Sequence, residues 1–145
     1  METREQIIDK LRDDTWYCGT YGQQYLSNSN IGTLLTNPLG LKEKTKTTSA
    51  MIFGSYFHTA ILEKDKLHKF KIIEANTRTT KVYKELSEGE MCMLQHEVDM
   101  ADAMVDKLLD NNVFSSMINV GDVEHEVPSV KEIMGNMWKG KADII

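Results

Sequence analysis

Apolar residues recur at helical spacing through most of this chain and switch to strand spacing near its end. Residues 3–13 predict a short helix, with Thr3 and Gln6 as a capping box and Ile7, Ile8 and Leu11 as its apolar stripe. The aromatic, glycine-bearing stretch 16–25 shows no period and reads as irregular. In LSNSNIGTLLTNP, which begins at Leu26, Ser29 or Asn30 can cap a helix carrying Ile31, Leu34 and Leu35, and Pro38 ends it. The polar segment 42–48 predicts a loop. Ser49 can cap the next helix, AMIFGSYFHTAIL, where Phe53, Phe57 and Ile61 recur every four residues and predict the buried face. A short strand is expected at 70–74. Ser87 and Glu90 form a second capping box. After it Met91, Leu94, Val98, Ala101, Val105 and Leu108 alternate steps of three and four, which predicts a long helix ending near Asn111. The methionines there serve as core filler.

The last segment alternates with period two. VEHEVPSVKEI and WKGKADII read as strands, and Gly135-Asn136 between them as a two-residue hairpin turn. That turn pairs Met134 with Met137 and Glu132 with Lys139. One face then carries Val127, Ile133, Trp138, Ala142 and Ile144, and is expected to be the core face. The other carries Glu126, Glu132, Lys139, Lys141 and Asp143. In this register Glu126 lies diagonal to Asp143, about 7–8 Å away along the backbone, so two carboxylates can lean toward one cation. Solvent-facing acids on an amphipathic hairpin would have the same spacing. His58 is a second feature: Gly54 precedes it by one helical turn and leaves the imidazole uncovered.

Composition adds limits. The chain has 145 residues, 41% of them hydrophobic and 27% charged, which suits one folded domain with a real core. Glu2, Arg4 and Glu5 stand where a signal peptide would need apolar residues, and no run is long enough to span a membrane. Cys18 and Cys92 share no CxxC pattern and read as free thiols of a reducing cytoplasm. The net charge of -5 argues against binding nucleic acid by bulk charge. Its distribution is uneven: seven Lys/Arg lie within 64–84, whereas 85–126 holds only Lys107 against eleven acids. Solvated helix faces are the simpler account of such runs. His68, His96 and His125 have no partner pattern, and no dinucleotide, Walker, serine-hydrolase or zinc motif is present.

Taken in order, SNSNIGTLLTNP, FGSYFHTAILE, VEHEVP and WKGKADII resemble the landmarks of phage-type exonucleases related to exonuclease VIII. These belong to the PD-(D/E)xK superfamily, with the nuclease domains of the RecB group. The resemblance runs from about Leu26 to Ile145. It implies an α/β fold: a partial restriction-endonuclease-like core, with helices packed on the start of a small mixed sheet and a C-terminal β-hairpin. Residues 1–25 would be an N-terminal extension and 26–145 the nuclease-like region of a single domain. By the same resemblance His58, Glu126 and Asp143 form the active site around Mg²⁺ or Mn²⁺. Asp143 would be the principal ligand, and His58 would assist metal or phosphate placement. Glu126 fits the pattern better than Glu124. Ser27 and Ser29 match the serine-bearing start of the early helix, structural or lining the DNA groove, and Lys139 and Lys141 are candidate DNA contacts. The implied activity is degradation of linear double-stranded DNA from its ends for recombination or replication, in the cytoplasm (the host's, if the gene is phage-borne). A ring-shaped homo-oligomer and a single-strand annealing protein are implied partners.

One departure stands out. In such nucleases a strand following the Asp brings an acid-x-Lys element, and no Asp/Glu-x-Lys tripeptide occurs in these 145 residues. The expectation is a fragment, split gene or interrupted reading frame, inactive as it stands and completed by a C-terminal segment bearing the missing strand. The rival expectations are a non-catalytic module that holds DNA or a recombination partner, and an unrelated helical domain.

Overall fold

The computed structural model describes residues 2–41, 43, 46–119, 121 and 123–145. Of the expected loop at 42–48, Lys42, Lys44 and Thr45 lie outside the described residues. The architecture is α/β, as the sequence suggests. It divides into two units, one of Met1–Thr45 with Glu124–Ile145, the other of Lys46–Val123.

In the second unit, α4 (Ser49–Leu62) packs on α6 (Gln95–Leu109). Thr48, rather than Ser49, caps α4, its hydroxyl accepting from the Met51 N–H. The buried centre of α4 is Tyr56 and Ala60, and these join Met93, Val98, Ala101 and Val105. Phe53, Phe57 and Ile61, expected at the centre, are half-buried flanks of that cluster. The buried face is rotated by one residue from that expected, onto Tyr56 and Ala60, and the cluster it joins includes another small residue, Ala101. Burial of these side chains contributes about 1.5–3 kcal/mol for each large one. The expected strand appears as β1 (Ile72–Ile73), paired in parallel with β2 (Met93–Leu94). Around that pair Ile73, Tyr83, Cys92 and Leu94 form a second buried cluster.

The long helix starts at Gln95, later than the sequence suggests. Glu88 and Gly89 have φ of 54° and 85°, a left-handed pair that ends α5 (Lys81–Ser87) and releases the chain into β2. Glu97 then accepts from the Leu94 N–H at 3.0 Å and caps α6 in the role assigned to Glu90. Helix α5 escaped the sequence reading because it buries only Tyr83 and Ser87, too few positions to set a period. Helix α7 (Asn112–Asn119) continues beyond the expected end, with Asn111 accepting from the Val113 and Phe114 N–H groups.

The first unit holds α1 (Arg4–Leu11), α2 (Asp14–Cys18), α3 (Asn28–Thr36) and the hairpin of β3 (His125–Ile133) and β4 (Asn136–Ile144). Thr3 and Gln6 make the expected capping box. Within the stretch read as irregular, Asp13 caps the short α2 by accepting from Thr15 and Trp16. Ser27, not Ser29 or Asn30, caps α3, with its N–H donated to Asn30 Oδ1 at 2.7 Å. The hairpin turns at Met134-Gly135, so Ile133 pairs with Asn136 and every partner moves two residues from the expected register. The reason is turn geometry: φ of 52° at Met134 and 73° at Gly135 matches a type I′ turn, which favours glycine in the second central position. Glu132 therefore faces Met137, and Lys139 faces Val130. Leu26 adds a parallel bridge on the other edge of β4. Its N–H donates to Met137, and its carbonyl accepts from Lys139.

The core face of the hairpin is the opposite one from that expected. Val130 is 1% exposed and Pro128 is buried, on the face that also carries Glu126, Lys139 and Lys141. Ile133 and Ile144, on the expected core face, stay exposed. Helix α2 covers the charged face by laying Asp14 and Tyr17 against the lysines, a polar cover that period-two hydrophobicity cannot register.

Candidate metal centre

Between the pairs His125↔Ile144 and Val127↔Ala142 stand Glu126 and Asp143, so the two acids are directly opposite rather than diagonal. The two acids nonetheless lie on one side of the hairpin, their carboxylates close together. A carboxylate oxygen of each lies within 4.8 Å of the other. Two hard oxygen donors so spaced suit a divalent cation.

Glu126 has φ of 54°, a left-handed conformation inside a strand. The ladder explains it. Glu124 and Ile145 exchange both backbone hydrogen bonds, at 3.0 and 2.9 Å, so near Ile145 the odd residues of β4 point toward β3. At Lys139 the N–H points away, to Leu26. The hydrogen-bonding phase must therefore change between them, and Glu126 is the residue that absorbs the change. The new phase gives Pro128 a position where its missing N–H would face away from β4, so no ladder bond is lost. Holding a non-glycine residue this way costs about 1–3 kcal/mol, and such strain is concentrated at functional sites.

Lys141 sits between the charges. Its Nζ is 3.0 Å from Asp14 Oδ1, 3.3 Å from Glu126 Oε2 and 4.7 Å from the centre of the Tyr17 ring. Burial alone would lower its pKa, but the hydrogen bonds and charges of Asp14 and Glu126 outweigh that and move it upward. Lys139 donates to the Tyr17 carbonyl and lies 4.1 Å from the same ring centre. Its pKa is lowered, chiefly by burial, with the Lys141 charge adding to the effect. Desolvation pushes the Tyr17 hydroxyl up. Ser27, Ser29, Lys139 and Lys141 line one cavity of ≈ 330 Å³, and so the four residues singled out as candidate DNA contacts do come together. Both ammonium groups also fasten α2 to the hairpin.

His58 belongs to the second unit, half-buried in α4. In that unit four residues of the basic stretch, Lys66, Lys71, Arg78 and Lys81, are paired with Glu63, Glu88, Glu97 and Glu85. Asp14 and Tyr17 are site residues that the sequence reading missed. Their only local signal was the cap at Asp13, since a five-residue helix has no period to detect. Among the described residues no helix is long and apolar enough to cross a membrane.

Residues 35–145 match the model of the family described as "PDDEXK-like domain of unknown function (DUF3799)". No curated protein matches the chain significantly. A crystal structure from Eubacterium rectale, described as "Putative exonuclease", superposes with a TM-score of 0.60 at 14% sequence identity. The match covers 90% of this chain and 48% of that one, so the chain spans about half the length of its structural relative. At this identity the likeness establishes the fold.

Proposed function

From the premise that the chain belongs to the PDDEXK-like family of unknown function, we propose that it carries the metal-binding half of a DNA exonuclease centre. The observation that supports this best is the convergence of Glu126 and Asp143, within 4.8 Å, on one face of the hairpin. Asp143 and Glu126 would hold Mg²⁺ or Mn²⁺, and His58 is proposed as a third participant on the strength of its place in FGSYFHTAILE. Such an ion, when bound, supplies Lewis acidity toward a phosphodiester and lowers the pKa of a bound water. The chain's own backbone places the acids: Glu126, left-handed within β3, stands opposite Asp143 on β4. The wall of Ser27, Ser29, Lys139 and Lys141 is proposed to run alongside the backbone of a duplex end. A lysine to orient the attacking water is missing, because no acid-x-Lys element occurs in the sequence. The proposal is therefore a centre inactive in this chain alone and completed by a segment bearing that element.

The test is digestion of linear and circular duplex DNA with Mg²⁺, by the chain alone and with a co-expressed segment carrying an acid-x-Lys strand. The chain alone should release no nucleotides. The pair should digest the linear form, and Asp143→Asn should abolish that digestion without preventing assembly. Digestion by the chain alone that survives Asp143→Asn would show the centre to be misassigned. A pair that binds duplex ends but never cuts them would favour a non-catalytic DNA-binding module.

A further inference from the structure

We propose that Asp14 is a positioning residue of the metal centre: by sharing the Lys141 ammonium with Glu126, it offsets the positive charge that Lys141 brings to the cation's side of the hairpin. The inference rests on the metal-centre reading above. Lys141 precedes Asp143 by two residues on the same face, and its Nζ touches Glu126 at 3.3 Å. Its side chain is only 13% exposed, so water does little to screen it. A lysine in that place works against a divalent ion. The two acids bring two negative charges to the face, and an uncompensated ammonium cancels one and repels the incoming cation. Asp14, 3.0 Å from the Lys141 ammonium, offsets that charge, while Lys139, the other ammonium of the face, is held against Tyr17.

The local sequence divides the labour between two adjacent acids. Asp13 is committed to capping α2, accepting from Thr15 at 2.7 Å and Trp16 at 3.3 Å. Asp14, the next residue, reaches the hairpin. Tyr17, one turn further on, places its ring within 4.1 and 4.7 Å of the Lys139 and Lys141 ammonium groups. These residues precede the segment that matches the family model, so an N-terminal element outside that segment is drawn into the centre.

The test is a Mn²⁺ titration of the intact chain, read by the electron paramagnetic resonance of free ion and by calorimetry. Asp14→Asn should weaken binding roughly tenfold, the effect of one unit charge removed from a partly buried site. Lys141→Met should bind as tightly as wild type or more tightly. The double variant should return to within about threefold of wild type, because removing the ammonium removes the need for Asp14. A contact that merely stabilised α2 would predict losses in both single variants and no rescue. Unchanged affinity in Asp14→Asn, or a double variant as weak as Asp14→Asn, overturns the proposal. Should Asp14→Asn fail to fold, Lys141→Met against Lys141→Arg decides: binding weaker in the methionine variant overturns it. Glu126→Gln and Asp143→Asn separate the two levels. If they leave Mn²⁺ binding unchanged, the metal centre itself falls and takes this inference with it. If they abolish binding while the Asp14 series fails, only the inference falls.

Discussion

Removing Arg78 should destabilise the second unit by about 2–4 kcal/mol, more than any exposed ion pair of this chain could contribute. The guanidinium donates to both oxygens of Glu97, at 2.7 and 2.6 Å, and to the Cys92 carbonyl at 3.1 Å. Glu97 also accepts from the Leu94 N–H. One ion pair thus ties the segment before α5 to the strand β2 and to the first turn of α6. The side chains are 23% and 17% exposed, so solvent screens the pair only in part. Exposed pairs contribute at most about 1 kcal/mol, and two charge-assisted bonds in this setting contribute more. In Arg78→Met the Glu97 carboxylate keeps only its helix-capping partner among these bonds and remains mostly buried. A loss of this size is a large share of the few kcal/mol that hold such a unit together.

The assay is urea unfolding followed by far-UV circular dichroism, for Arg78→Met, Glu97→Gln and the double variant. The coupling energy should exceed about 1 kcal/mol. The pH dependence fixes the sign. Burial would raise the Glu97 pKa, but Arg78 and the Leu94 N–H together hold it below the ordinary carboxylate value of 4.5. A carboxylate depressed in the folded state contributes stability that is complete above its unfolded pKa and lost as pH falls through the folded one. The difference between wild type and Arg78→Met should therefore be constant near neutrality and shrink below about pH 4.5. A loss under about 0.5 kcal/mol at neutral pH, or a difference that widens in acid, would refute the argument.

Two further outcomes follow from the hairpin and the sequence. Met134 holds a left-handed φ of 52° and is 96% exposed, so Met134→Asn should raise stability by about 0.5–1 kcal/mol, and Gly135→Ala should lower it by about 1 kcal/mol, in thermal melts followed by tryptophan fluorescence from Trp138. The 145-residue chain should bind linear duplex DNA weakly at physiological salt and more tightly at low salt, with Mg²⁺ adding no nucleotide release; titration by fluorescence anisotropy at two salt concentrations, with acid-soluble release measured in parallel, checks both statements.

The parts of this molecule that could be read from sequence are those where a period repeats often enough to be seen. Helices α4 and α6 repeat their apolar spacing over 14 and 15 residues and were placed to within a few positions. Helices α2 and α5, at five and seven residues, bury too little to leave a pattern. The start of α6 was misplaced because Ser87 and Glu90 satisfy a capping rule that Glu88 and Gly89, both left-handed, make unusable. Nothing local could foretell that Lys141 meets Asp14, 127 positions earlier, or that this pairing makes the charged face of the hairpin the covered one.

The hairpin shows why the candidate centre was legible even though its register was not. Turn chemistry alone could not choose between Gly135-Asn136 and Met134-Gly135, and the choice moves every partner by two residues. A shift of two preserves the parity of a strand, so Glu126 and Asp143 stay on one face in either register. In the expected register they are diagonal; in the observed one they are opposite, which brings the carboxylates closer. A shift of one would have sent them to opposite faces, and that register would also have required Val130 and Pro128 to trade places with the exposed side. The pairing of two acids across the strands is thus protected by the same burial that fixes the face. What burial does not fix is the position along the strand, and there Pro128 and the left-handed Glu126 decide the hydrogen-bonding phase. The residue proposed to bind the cation is also the one at which the ladder changes phase, so replacing Glu126 tests ligand and backbone together; Glu126→Gln, which keeps the side-chain shape, is the substitution that isolates the charge.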